Sequence, residues 1–218
     1  MKLICLLVLV LVAGCSNQPK APEWQMNARG SLDRFTEAFL NGDTRIEAAE
    51  FARARSELTR TGDAALVARA ELTRCALKVA SLVIEPCTGF AALRADAPPP
   101  ERAYAEYLAA RITPPDVALL PAQHRAVAAG AGDAAAVKAI ADPLSKLVAA
   151  GVLMQSGRAS PDVLQMAVDT SSAQGWRRPL LAWLGVQLRR AETAGVAQEV
   201  ERLRRRIALV ANEKPAGT

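Results

Sequence analysis

Aromatic residues are scarce in this chain of 218 residues: three Trp, two Tyr and four Phe, 4% in all. Strands favour β-branched and aromatic side chains, and the apolar content here, 51%, is largely Ala, Leu and Val, a helix former's mixture. Histidine occurs once, at His124. That excludes most Ser-His, Cys-His and His-metal schemes at a stroke. No glycine-rich phosphate loop, no cluster of metal ligands and no serine with a nearby base stands out, so neither a cofactor nor a metal is expected. An excess of charge is missing too. The 27 basic and 22 acidic residues leave +5, well interspersed, which does not make a nucleic-acid binder. The apolar run over residues 3–13 falls well short of the roughly 20 residues that span a bilayer as a helix.

That run is nonetheless the most informative stretch of the chain. Lys2 precedes it, Gly14 and Cys15 follow, and then the sequence turns polar, the layout of a secretory signal. Val12-Ala13-Gly14-Cys15 resembles the lipobox of bacterial lipoproteins. The resemblance covers about the first fifteen residues. It implies that residues 1–14 are a signal peptide that is cleaved, that Cys15 is diacylated, and that the new amino terminus is acylated in Gram-negative bacteria. Two or three acyl chains, at about 0.8 kcal/mol per buried methylene, hold far better than one. Ser16 is not the Asp that marks inner-membrane retention, so the resemblance points to the outer membrane, facing the periplasm. Residues 15–25 then read as an acylated tether with two prolines. With Cys5 removed and Cys15 acylated, Cys75 and Cys87 remain. A pair exported to an oxidising compartment is most simply a disulfide; two buried free thiols are the alternative.

From about Asn27 the chain reads as helix after helix. Leu32, Phe35, Phe39 and Leu40 form one stripe at helical spacing, ended by Asn41-Gly42, with Asp43 placed to cap the next helix. Phe51, Ala54 and Leu58 make the apolar side of a second helix, and Gly62-Asp63 repeats the stop and cap. A third helix directs Leu66, Ala70, Leu72 or Cys75, and Val79 inward and ends before Pro86. Gly42, Phe51 and Ala54 in "FLNGDTRIEAAEFARA" are similar to part of a tetratricopeptide repeat, although no Trp-Leu-Gly-Tyr start precedes them and no 34-residue period recurs. Short connections make neighbours antiparallel. The expected fold is therefore all-α, with helical hairpins stacked in a tetratricopeptide-like or irregular array. Pro98-Pro99-Pro100 and Pro114-Pro115 suggest a joint between subdomains 26–97 and 98–213, and residues 214–218 read as a disordered tail. Further on, Gly132-Asp133 repeats the earlier device and Ser160-Pro161 is a helix start.

Candidate sites are few. Glu71, in "ARAELTRC", is the nearest imitation of the acid of lytic transglycosylases, but that family's flanking motif is missing, and it reads as a solvated carboxylate beside arginines. His124 reads as a packed histidine, Trp24 as docking the chain's start on the body, and Trp176 with Trp183 as core. In "QEVERLRRRIALV", Val200, Leu203, Ile207 and Val210 form a buried stripe. Arg202, Arg204, Arg205 and Arg206 stay in solvent, where Glu199 and Arg202 or Glu201 and Arg205 can pair at helical spacing. Those arginines are a candidate basic surface for anionic headgroups or an acidic partner. The expected function is non-catalytic: a scaffold or accessory lipoprotein holding another envelope protein or a peptidoglycan-associated component, since helical surfaces bind partners without reactive groups. The rivals are a peptidoglycan-active enzyme and a carrier of lipid or small apolar ligand, which needs a cavity between helices.

Overall fold

The computed structural model describes residues 21–131 and 133–211. The expected signal peptide, Cys15, all but the end of the expected tether, Gly132 and the expected tail lie outside the described residues. Within them the chain is helical throughout, eleven α-helices and one 3-10 helix, with no strand. The helices are α1 (Glu23–Asn41), α2 (Thr44–Thr59), α3 (Ala64–Ala80), α4 (Thr88–Ala91) and α5 (Pro99–Leu108). After the 3-10 helix Pro114–Leu119 come α6 (Ala122–Ala128), α7 (Asp133–Ala139), α8 (Pro143–Gln155), α9 (Pro161–Ala173), α10 (Arg177–Thr193) and α11 (Ala197–Ala211).

The punctuation works as local chemistry dictates. Gly42 takes the left-handed conformation, φ 83°, that lets α1 end without a Cβ penalty. Asp43 accepts from the Ile46 amide, Asp63 from Ala65 and Leu66, and Ser160 from Val163, each filling an orphan donor of a first turn. One boundary differs from expectation. α1 starts at Glu23 instead of near Asn27, so Trp24 and Gln25 belong to helix and not to tether. Pro22 sets the turn ahead of the helix, and Glu23 opposes the positive end of the helix dipole. Trp24 is half-buried against the Phe35, Phe39 and Phe51 cluster, so it does pack on the body.

α1, α2 and α3 are locked by a repeated ionic device. Glu50 is buried on α2 and takes Arg53 from its own helix and Arg34 from α1, both at 2.9 Å. Glu71, 2% exposed on α3, takes Arg74 from its own helix at 2.6 Å and Arg55 from α2 at 3.0 Å. Sixteen residues separate the cross-helix partners in both cases. The expectation of a solvated Glu71 is thus corrected. A buried carboxylate is tolerable because both of its oxygens receive guanidinium hydrogen bonds. In the first copy of the device, the Arg34 hydrogen bond holds the Glu50 carboxyl below its ordinary value, against the pull of burial.

α3 is the hub. It packs against α1, α2, α4, α5 and α8, and is buried on most of its circumference. Gly151 of α8 faces the backbone of Val79, where a Cβ would overlap the Val79 carbonyl oxygen, so the two helices cross at backbone contact. The main core runs from Ala68 to Leu203 and includes residues on both sides of the Pro98–Pro100 run. That run opens α5 instead of leaving a gap in packing: Pro98 precedes the helix and two prolines occupy its first turn, where missing amides cost nothing. From α8 to α11 successive helices pack pairwise, and α10 returns to α1. There Arg178 bonds Glu47 at 2.8 Å and lies 4.0 Å over the Phe39 ring. Trp183, fully buried, donates to the Ala80 carbonyl at 3.0 Å. Trp176 sits just before α10, half-buried between the two cores.

Candidate functional site

Cys75 lies on the buried side of α3 and Cys87 just ahead of α4. α3 stops at Ser81, and Leu82 turns the chain with φ 57°, its following amide on Val83 bonding back to the Lys78 carbonyl. The reversal carries Cys87 back to Cys75, Cα atoms 5.8 Å apart, and the sulfurs are bonded. α4 in turn is pressed onto the Glu71–Arg74 pair, with no room for a Cβ at Gly89. Closing a loop of sequence separation 12 contributes about 2 to 3 kcal/mol in the chain-entropy account. A Cys75→Ser, Cys87→Ser double variant is expected to lose that amount in urea denaturation. Two alkylatable thiols in the unreduced protein would disprove the bond.

The disulfide floors a groove of about 440 Å³ between α3, the 83–87 segment and α5. Val83 and Ile84, 40% and 53% exposed, stand at this groove without covering. Cations ring it. Arg94 and Arg111 share Glu106 at 2.8 and 3.3 Å, Lys78 holds Glu85 at 2.5 Å, and Arg74 is one of the two arginines on Glu71. The Lys78 hydrogen bond keeps the Glu85 carboxyl below its ordinary value. The groove therefore presents aliphatic surface inside a rim where basic groups outnumber acids. Its one signal in the sequence is Val83-Ile84, an apolar pair past the end of the helical stripe and just ahead of Glu85-Pro86.

A second cavity, about 420 Å³, opens between α3, α5 and the end of the 3-10 helix with the two residues that follow it. Behind it is an aromatic cluster in which Tyr104 stacks on Tyr107, and the Tyr107 hydroxyl is hydrogen-bonded to His124 Nδ1 at 3.2 Å. Burial pushes both phenols above their ordinary value, so they stay protonated. Burial also pushes His124 down to about 4, with Asp142 pulling the other way. His124 is 1% exposed and neutral at pH 7, a packed histidine as expected. The unfolded chain takes up its proton near pH 6.5, the folded chain near 4. The folded state is thus fully favoured above 6.5 and loses ground as pH falls through that window, by at most about 1.4 kcal/mol per pH unit. Stability measured from pH 7 to 5 should show this slope, and His124→Gln should flatten it.

Neither a family model, nor a curated protein, nor a solved structure matches the chain. The site must be read from its own residues. Of those anticipated, Cys75 and Cys87 meet, while Cys15 lies outside the described residues. On α11, Val200 and Leu203 are buried and Ile207 and Val210 pack at the edge of the core. Arg202 binds Glu199 at 2.6 Å, as anticipated. Glu201 does not take Arg205. It takes Arg204 at 3.0 Å, because Glu192 on α10 draws the same guanidinium, also at 3.0 Å. Arg205 is exposed and Arg206 half-buried, with no ion pair to either among the described residues. Two of the four arginines of the candidate basic surface are therefore ion-paired. No group of three or more potential metal ligands occurs among the described residues.

Proposed function

We propose that the protein is a non-catalytic envelope lipoprotein, acylated at Cys15 and held at the periplasmic face of the outer membrane. There it holds another envelope protein or a peptidoglycan-associated component. The anchor rests on the lipobox resemblance of Val12-Ala13-Gly14-Cys15. Only residues 16–22 lie between Cys15 and α1, a reach of about 25 Å when extended, so the body works against the membrane surface. The observation that carries the binding role is the disulfide-floored groove, where Val83 and Ile84 leave aliphatic surface open inside a basic rim. Partner segments with apolar anchors and acidic flanks match it.

A photo-crosslinking residue at Ile84 in intact cells tests this reading. A discrete adduct is expected there and not from the same residue at Arg45 on α2, and Val83→Asp should abolish it. Equal labelling from both positions, or none, would sink the docking role. The anchor is checked separately with Cys15→Ala: loss of acyl-chain labelling and of membrane association is expected, and an equally labelled, equally membrane-bound variant would refute it.

A further inference from the structure

The disulfide-floored groove carries a charge pattern that narrows what can occupy it. At two places along its walls one carboxylate serves two guanidinium groups. On the α5 wall Glu106 takes Arg94 at 2.8 Å and Arg111 at 3.3 Å, and neither arginine has another acid among the described residues. Their side chains are 48% and 71% exposed, and no further hydrogen bond leaves either one among the described residues, so N–H donors are spare. On the α3 wall Arg74 shares Glu71 with Arg55, which lies outside the groove. Lys78 and Glu85 cancel each other. Each wall thus keeps one positive charge in excess, around apolar surface from Val79, Val83, Ile84 and Leu108.

The same two walls end in an unusual turn. Leu82 and Ala110, φ 57° and 55°, are the non-glycine residues of positive φ among the described residues, where glycine serves at the other turns of that kind. Leu82 follows α3 and leads into Val83; Ala110 follows α5 and leads into Arg111. Both turns make the same two bonds. Leu82 and Val83 donate to the Val79 and Lys78 carbonyls, and Ala110 and Arg111 to those of Tyr107 and Glu106. The apolar lip and the outer guanidinium of the groove are therefore each set by a closed turn, which lowers the ordering cost of binding there.

Given the docking role proposed for this groove, we infer that its occupant is an internal segment of a partner protein in which one aliphatic residue has an acidic side chain on either side. The aliphatic residue lies against Val83 and Ile84. One carboxylate meets the Arg94 and Arg111 pair, and the other meets Arg74. A chain end would bring its carboxylate to one wall only and leave the excess charge of the other wall unmet.

Titration of the purified, isotope-labelled full chain with three peptides, followed by amide chemical shifts, is the test. The first is acetyl-Glu-Gly-Ile-Gly-Glu-amide, the second has Gln for both Glu, and the third is acetyl-Gly-Gly-Ile with a free carboxylate. Saturable shifts at Val83 and Ile84 are expected with the first. It should bind about fivefold tighter than the second, as two exposed ion pairs allow, with the difference shrinking as salt is added. The preference should fall in an Arg94→Gln, Arg111→Gln double variant, whose altered residues are exposed and whose thermal melt should stay close to that of the parent. Equal affinity for the first two peptides, a preference undiminished in the double variant, or no binding by any of the three overturns the inference. So does a third peptide that binds as tightly as the first, since that result assigns the groove to a chain end. The docking role itself fails on the Ile84 crosslink instead: an adduct in cells without any acid preference here keeps that role and refutes the acidic flanks.

Discussion

Replacing Trp183 with alanine is expected to cost about 4 kcal/mol, enough to lower the melting temperature by roughly 10 °C. Two losses combine. The indole is fully buried within the main core, and truncation removes its contacts and leaves a cavity that the surrounding helices cannot wholly collapse. The Ala80 carbonyl, at the last turn of α3, also loses the Nε1 donor that satisfies it at 3.0 Å. Trp183→Phe separates the two in part, since it retains much of the packing and removes the donor. It should fall between the parent and the alanine variant in chemical denaturation. An alanine variant within 1 kcal/mol of the parent would contradict the burial described (about that size being an ordinary surface effect).

Gly151→Ala should destabilise by about 3 kcal/mol, at the upper end of overpacking costs. The sign makes this a sharp test. In an exposed helix interior, replacing glycine by alanine gains roughly 1 kcal/mol through helix propensity. At Gly151 the added Cβ meets the Val79 backbone oxygen, and a backbone atom cannot rotate aside as a side chain does. α8 must then separate from α3, opening the seam that joins the N-terminal three helices to the rest of the core. Gly185→Ala on α10 is the control, because its Cβ would meet only the flexible Arg189 end at 3.9 Å, an ordinary contact, and a small gain is expected. A neutral or stabilised Gly151→Ala would show that the two helices do not touch there.

Helix boundaries set by Gly42-Asp43, Gly62-Asp63 and Ser160-Pro161 were legible from the chain alone, as were the stripes Phe35-Phe39-Leu40 and Val200-Leu203. These depend on residues a few positions apart, where spacing and capping chemistry decide. The pairing of Cys75 with Cys87 was legible by count, once the lipobox resemblance had set Cys15 aside as an expected lipid site. The Pro98–Pro100 run was ambiguous, for a proline cluster marks the start of a packed helix as readily as a joint. Glu201 shows the same limit at closer range. Arg204 and Arg205 are both within reach along the helix, and Glu192 from the neighbouring helix selects between them.

Composition, punctuation and cysteine count thus sufficed for an all-α array with its disulfide, because helices are local and their ends are written in residues that cap or break them. Which faces meet was decided only in three dimensions. The burial of Glu71 between Arg55 and Arg74, the backbone contact of Gly151 with Val79 and the return of α10 to α1 all join residues distant in sequence. An amphipathic pattern states that a side is to be covered. It does not state by what, since every apolar face seeks burial equally and only shape, charge and the summed packing of all the helices select its partner.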